Sequence, residues 1–146
     1  LGDNVPHMRQ LQWEVVSAAP SDRARVLRVD GKLLDLGQAS GDDNNCLIDT
    51  LRQQLDVQAN QAEVRKQLVA AFPGGPTQVG PWSYLELQHH WQEVVRQLGG
   101  DPASFRVVCV DLHYRGNGDV VGQGSQTLYI ARERANHFVP LRARLA

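Results

Sequence analysis

Apolar residues return every three to four positions in three stretches of this chain, which is the spacing of one face of an α-helix. The first stretch begins at Cys46, directly after a polar loop over residues 38–45. Its apolar positions are Leu47, Ile48, Leu51 and Leu55. We expect this segment to form the central, buried helix of the fold.

The other two helical stretches carry start and stop signals. Asn60, with Glu63 three residues later, is typical of a capped start for a helix over residues 61–72. Ser83 is a suitable cap for a third helix, which Gly99-Gly100 would end. The apolar positions of the third helix are Leu85, Leu87, Trp91, Val94, Val95 and Leu98.

Short runs rich in apolar and β-branched residues flank these helices and predict strands. Residues 23–36 predict two strands joined at Asp30-Gly31, because Asp-Gly between such runs favours a tight turn with positive φ. After the helices, strands are predicted at 105–112, 127–131 and 136–141, with a glycine-rich connection over 113–126. We expect residues 1–20 to form a peripheral N-terminal segment with a short strand or helix.

Helices followed by a run of strands predict an α+β fold. The 146 residues, 42% of them hydrophobic, are enough for a single domain over 1–146 with its own core. Fifteen basic and sixteen acidic side chains nearly balance, so the chain offers no basic face to nucleic acid or to an anionic membrane. No apolar run approaches the roughly eighteen residues of a membrane span. We expect a monomer with no nucleic-acid or membrane partner.

Two residues could carry chemistry. Cys46 stands at the start of the predicted central helix, where main-chain N–H groups and the helix dipole can lower the thiol pKa below its free value of about 8.5. His137 interrupts the last apolar, strand-like run near the chain end. A cysteine early in the chain and a histidine late is the order of a papain-like site. Cys46 would be the nucleophile and His137 the general base.

The segments around these two residues resemble the ovarian-tumour (OTU) family of cysteine proteases, most of which are deubiquitinases. The matching residues are Asp43, Asn45, Cys46 and Leu47 in the first segment, and Asn136, His137 and Phe138 in the second. Asn44 stands where the family usually has glycine, and Phe138 where it usually has tyrosine. The resemblance implies a papain-like fold in which the Cys46 helix packs against a mostly antiparallel sheet that carries His137.

The same resemblance implies roles for further residues. Main-chain N–H groups of Cys46 and of the loop Asp43-Asn44-Asn45 would form the oxyanion hole, with Asp43 shaping that loop. Many members orient the histidine with an acidic or amide side chain two residues later, and this chain has Val139 there. Four residues are left as candidates for the orienting role, and a site with no orienting residue also stays open. The four are Asp30, Asp35, Asp43 and Asn136.

The function that follows is a thiol isopeptidase that removes ubiquitin or a ubiquitin-like modifier from conjugates. The loop over residues 73–82 and the connection over 113–126 would border a channel for the modifier's tail. One alternative is a ubiquitin-binding or interaction domain with weak or no catalysis. Another is a deamidase or acyltransferase, because all three reactions share the thioester intermediate.

The two cysteines indicate the redox state of the compartment in which the protein works. Cys109, the second of two cysteines, lies inside the predicted strand 105–112, where a free cysteine behaves as a small hydrophobe. We expect no disulfide and a reducing, cytosolic setting. His89-His90 lacks the ligand spacing of a metal site, so we expect neither metal nor cofactor. The chain begins at Leu1, which suggests a domain of a longer protein, such as an effector or toxin that a bacterium secretes into a host cell.

Overall fold

The computed structural model describes residues 11–17, 26–40, 44–75, 77, 80, 82–112, 117–134 and 137–143. Over these ranges the chain forms three α-helices and seven strands. In chain order they are β1 Trp13–Ser17, β2 Val26–Val29, β3 Lys32–Leu36, α1 Cys46–Leu55, α2 Gln61–Ala71, α3 Tyr84–Gln97, β4 Phe105–Asp111, β5 Asn117–Gly122, β6 Gln126–Glu133 and β7 His137–Ala143. A short 3-10 turn, Pro102–Ser104, leads into β4.

The seven strands form one sheet in the order β1-β2-β3-β7-β6-β4-β5. Neighbouring strands are antiparallel except β4 and β6, which are parallel. The last strand of the chain, β7, lies in the middle of the sheet and begins with His137. These observations confirm the prediction of an α+β fold, with a helix that begins at Cys46 and a mostly antiparallel sheet that carries His137.

Side chains alternate across the sheet and build a core on each face. Val107 and Cys109 of β4 pack with the buried residues of the three helices, whereas Val108 and Val110 pack on the opposite face. Phe138 of β7 belongs to the helix-facing core. The helices therefore cover one face of the sheet.

The predicted helix starts are confirmed. The Asn60 side chain accepts a hydrogen bond from the main-chain nitrogen of Glu63 at 3.1 Å. Ser83 and Glu86 form a complete capping box at the start of α3. None of the described helices is long and apolar enough to cross a membrane.

The predicted Asp30-Gly31 turn is also confirmed, since both residues have positive φ, 49° and 82°. The prediction of a connection over 113–126 was wrong in its middle, because Asn117–Gly122 forms β5 and pairs along the length of β4. Its glycines obscured the strand. At Gly122 an added Cβ would meet the Trp91 ring at 2.6 Å, so the residue permits close packing of α3 on β5.

The N-terminal prediction is met only in part. Residues 13–17 form the edge strand β1, which pairs with β2, and Leu11 is buried in the core on the face opposite the helices. Residues 1–10 and 18–25 lie outside the described ranges. That residues 1–146 form a single domain stays a prediction.

Candidate active site

The Cys46 sulfur lies against the strand that carries His137. Its Sγ accepts a hydrogen bond from the main-chain nitrogen of Phe138, with an N–S distance of 3.4 Å. That nitrogen belongs to the peptide bond that joins His137 to Phe138. The structure therefore brings the two residues at the centre of the sequence prediction to one place.

Thr50 holds the same strand one helical turn further along α1. Its hydroxyl donates to the carbonyl oxygen of Phe138 at 3.0 Å. In the described part of the chain, β3 pairs with the far end of β7, and the Gly37 nitrogen donates to the Pro140 oxygen at 2.8 Å. Toward the start of β7, Cys46 and Thr50 take the place of a neighbouring strand by satisfying the two main-chain groups of Phe138.

His137 faces a carboxylate on the next strand. It lies directly opposite Glu133 of β6, and its Nε2 is 3.8 Å from Glu133 Oε1. The two side chains are 28% and 25% exposed. Because Phe138 points into the helix-facing core, the side chains of His137 and Glu133 leave the sheet from the other face. The Cys46 sulfur lies at the edge of β7, where it accepts the Phe138 N–H, and Cys46 itself belongs to the helix-facing core.

Glu133 was not among the site residues predicted from the sequence. The Glu133–His137 pair flanks the bend between β6 and β7, where Arg134 has a positive φ of 55°. Such pairing depends on strand register, which the turn and the buried face fix together. A hairpin prediction with a three-residue connection between Glu133 and His137 could have found this contact.

Burial controls the charge state of Cys46. The residue is only 4% exposed. Burial raises the pKa of its thiol, and outweighs the main-chain N–H groups of Phe138, Leu47 and Cys46 and the charge of Arg65, which lower it. The predicted lowering of this pKa was therefore wrong for this conformation, because loss of solvent disfavours the thiolate more than the helix start favours it.

Arg65 holds the loop that leads into Cys46. The side chain is 1% exposed, and its Nη1 donates to the Asn44 carbonyl oxygen and to Asn45 Oδ1, both at 3.1 Å. Asn45 is buried and precedes Cys46 as the cap residue of α1, yet its side chain makes no cap hydrogen bond. Its amide oxygen instead receives Arg65, so α2 fixes the start of α1.

The same arginine reaches the segment before α3. Arg65 Nε donates to the Thr77 carbonyl oxygen at 2.7 Å, and Nη2 donates to the Gly80 carbonyl oxygen. Its guanidinium lies 5.7 Å from the centre of the buried Trp82 ring. One buried cation therefore joins the loop before Cys46 to the segment around Thr77 and Gly80. No sequence pattern predicted a role for Arg65, because an arginine in an amphipathic helix usually lies on the solvent face.

Asn44 occupies a special backbone position. It has a φ of 60°, in the left-handed region that glycine and asparagine tolerate best. This explains in physical terms how an asparagine can stand where the resembling family usually has glycine. The other two predicted site residues near these segments, Asp43 and Asn136, lie outside the described residues.

The structure does not bring Asp30 or Asp35 to His137. Asp35 pairs with Arg142, five positions further along β7, which is about 17 Å at roughly 3.3 Å per residue. Asp30 lies in the β2–β3 turn, beyond the first residue of β3. Neither carboxylate can orient the imidazole from there.

Cys46 and Cys109 are both buried, and no disulfide joins them. Cys109 lies in the helix-facing core. His90 stacks on Phe72, with ring centres 4.0 Å apart. Within the ranges the structure describes, no group of three or more histidine, cysteine, aspartate or glutamate side chains is arranged to hold a metal ion.

No family model and no curated protein matches the chain. Among solved structures, the Hazara virus OTU bound to ubiquitin is 18% identical, with 93% of this chain and 97% of that chain covered and a TM-score of 0.44. An OTU deubiquitinase from Wolbachia pipientis wMel is 18% identical, with 76% and 89% covered and a TM-score of 0.41. The same deubiquitinase bound to ubiquitin is 16% identical, with 76% and 96% covered and a TM-score of 0.37. At these TM-scores none of the three assigns the chain to a family.

Proposed function

We propose that this chain is a thiol-dependent isopeptidase that removes ubiquitin or a ubiquitin-like modifier from conjugates. One observation carries the proposal. The sulfur of Cys46, at the start of α1, lies 3.4 Å from the main-chain nitrogen that follows His137. The sulfur of the proposed nucleophile therefore lies against the main chain next to the proposed base, although the two residues are ninety-one positions apart in sequence.

The reaction needs a nucleophile, a base and donors for the oxyanion. His137 takes the thiol proton, and the Cys46 thiolate attacks the isopeptide carbonyl carbon. The carbon–nitrogen bond breaks, and the leaving amine takes the proton back from His137. Water, deprotonated by the same imidazole, then hydrolyses the thioester. Catalytic hydrogen bonds are often long in unliganded enzymes and tighten only with substrate.

The oxyanion would be bound by main-chain N–H groups of Cys46 and of the loop before it. Each such donor contributes about a hundred- to a thousandfold in rate in other acyl-transfer sites. Arg65 supports this assignment, because its bonds to Asn44 and Asn45 hold the loop in one arrangement. Preorganised donors stabilise a transition state better than mobile ones.

The choice of ubiquitin as the modifier rests on the motif resemblance around Cys46 and His137. The segment around Thr77 and Gly80 is a candidate to border the channel for the modifier's tail, since Arg65 ties it to the loop before Cys46. Because a free thiol nucleophile persists only where disulfides do not form, we place the activity in a reducing compartment.

A second candidate function is a ubiquitin-binding domain with weak or no catalysis. The observation that favours it is the burial of Cys46, which raises the thiol pKa and keeps the sulfur from solvent. A deamidase would form the thioester from a side-chain amide with loss of ammonia, and an acyltransferase would pass the thioester to an acceptor other than water.

A ubiquitin probe with a C-terminal electrophile separates these candidates. We expect wild type and Cys109→Ala to become covalently labelled, and Cys46→Ala and His137→Ala to remain unlabelled. Cys109→Ala is the matched control, because Cys109 is the other buried cysteine of the chain. Binding without labelling would favour the interaction domain. The absence of both binding and labelling would overturn the ubiquitin assignment.

A further inference from the structure

We propose that Glu133 is the positioning residue of this site and orients His137 toward Cys46. The inference rests on the proposed thiol chemistry and adds the third member that the sequence left open. Glu133 and His137 are directly opposite each other on β6 and β7, with Oε1 and Nε2 3.8 Å apart. Residues paired in this way project from the same face of a sheet.

The three groups lie in order across the sheet. In an antiparallel ladder, a residue that is not hydrogen-bonded to one neighbour directs its N–H and C=O toward the other side. Phe138 directs both groups to Cys46 and Thr50, away from β6. The carboxylate strand and the cysteine helix therefore flank β7 on opposite sides, with His137 between them.

Among the residues that the structure describes, the other candidates do not reach the imidazole. Val139, at the position two residues after the histidine, is apolar and 1% exposed. Asp35 is paired with the far end of β7, and Asp30 lies beyond it. The Glu133 side chain, by contrast, is only a quarter exposed, so water screens its contact with His137 less than it would on the open surface.

The geometry also assigns the two ring nitrogens. Nε2 is the ring nitrogen nearest Glu133, at an ion-pair distance of 3.8 Å. A carboxylate at that nitrogen favours the tautomer that carries its proton on Nε2 and leaves the Nδ1 lone pair for the sulfur. In the first step the Cys46 proton passes to Nδ1, and the imidazolium is stabilised by Glu133. In the second step the same proton passes from Nδ1 to the leaving amine, and no proton moves to Glu133.

The tautomer can be observed without any substrate. Nitrogen-15 spectra of the full chain report which ring nitrogen carries the proton, and the His137 signals among the five histidines are found by comparison with His137→Gln. We expect the Nε2–H tautomer in wild type and in Glu133→Gln, whose amide oxygen can still accept that proton. Glu133→Ala should show a mixture. An unchanged tautomer in Glu133→Ala would overturn the proposal.

Kinetics with ubiquitin carrying a C-terminal fluorogenic amide give the second measurement. We expect Glu133→Ala to lower kcat by about tenfold or more with KM unchanged, which is part of the hundred- to ten-thousandfold that acid–base catalysis contributes. Glu133→Gln should retain more activity than Glu133→Ala. The control is Glu63→Gln, an exposed carboxylate on α2 that contacts Gln67 and lies outside the site.

The two measurements separate the two proposals. If wild type is inactive but Glu133→Ala shows the expected mixture of tautomers, the isopeptidase proposal is refuted and the positioning role of Glu133 is supported. An active wild type whose kcat is unaffected by Glu133→Ala would refute the role of Glu133 alone. Should Glu133→Ala fail to fold, the ratio of kcat in Glu133→Met to that in wild type decides, because methionine keeps the length of the side chain but offers no oxygen to Nε2. No loss of kcat in Glu133→Met, with KM also unchanged, would refute the positioning role.

Discussion

Thr50 and Phe138 are joined by a hydrogen bond from the threonine hydroxyl to the phenylalanine carbonyl oxygen, 3.0 Å long and fully buried. The contact spans 88 residues of sequence and fastens the first helix to the last strand. Because Cys46 lies one turn earlier on the same helix, this bond also sets the position of the sulfur relative to His137.

Replacing Thr50 with valine should destabilise the protein by about 1–3 kcal/mol, because the Phe138 carbonyl oxygen loses its partner in a buried site. Chemical denaturation measures the change. Thr50→Ser keeps the hydroxyl and is the matched control, for which we expect a smaller loss. If Thr50→Val loses no more free energy of unfolding than Thr50→Ser, which keeps the hydroxyl but lacks the methyl, the hydrogen bond would not make the expected contribution.

Replacing Arg65 with methionine should cost about 3 kcal/mol or more, since a buried guanidinium donates to four acceptors that would lose their partner. Arg65→Lys keeps the charge but not the planar fork, so we expect an intermediate loss. Thermal unfolding measures both changes.

Arg96→Lys is the comparison for Arg65. Arg96 is exposed on α3 and pairs with Glu93, so its replacement should change the free energy of unfolding by less than about 0.5 kcal/mol. An Arg65→Lys variant as stable as Arg96→Lys would show that the loop before Cys46 does not depend on the guanidinium geometry.

The buried thiol of Cys46 should make stability fall in alkali. Its pKa in the folded chain is raised by burial, so its contribution is fully present below the unfolded thiol pKa of about 8.5 and is lost as pH rises through the folded value. The experiment compares Cys109→Ala with the double variant Cys46→Ala/Cys109→Ala from pH 7 to 10. The free energies of unfolding of these two proteins should converge with increasing pH. A constant difference between the two chains would contradict the raised pKa.

Asp49 should stabilise the protein at neutral pH and lose this contribution in acid, whereas Cys46 loses its contribution in alkali. Burial raises the pKa of this carboxyl, but hydrogen bonds from the Ser40 nitrogen, Gln53 and Arg52 outweigh it, and the net pKa is lowered. Its contribution is therefore present above the unfolded pKa of about 3.9 and is lost as pH falls through the folded value.

Asp49→Ala tests this dependence. We expect a loss of about 1–3 kcal/mol at pH 7, because the donors of Ser40, Arg52, Gln53 and Gln61 lose their acceptor. Denaturation series at pH 7 and at pH 3 should show the difference from wild type shrinking in acid. Asp119→Ala, a partly exposed carboxylate on β5, is the control, and an equal pH dependence there would refute the assignment to Asp49.

Local signals made much of this fold predictable. The caps at Asn60 and Ser83 and the turn at Asp30-Gly31 depend on residues a few positions apart, so the sequence shows them directly. Strand β5 was missed because its glycines indicate a turn. Gly122 has no side chain because the Trp91 ring packs against it. The two residues are thirty-one positions apart, so no local sequence pattern shows this contact.

The sequence indicates Cys46 and His137 as candidate site residues, but it does not show which residues surround them. Cys46 and His137 stand out by position and neighbours. Glu133 depends on strand register, and Arg65 depends on three segments closing around it, so neither has a local signal. The raised pKa of Cys46 follows from tertiary burial, which overrode the effect of its place at a helix start.

The placement of β7 between β3 and β6 has a consequence for biosynthesis. A nascent chain that has left the ribosome only as far as Glu133 already contains the cysteine, but the histidine is still to be translated and the centre of the sheet is still open. Cys46 and the strand that carries His137 come together only when β7 inserts into that gap. A chain truncated before His137 would therefore lack both the imidazole and the strand that joins β3 to β6.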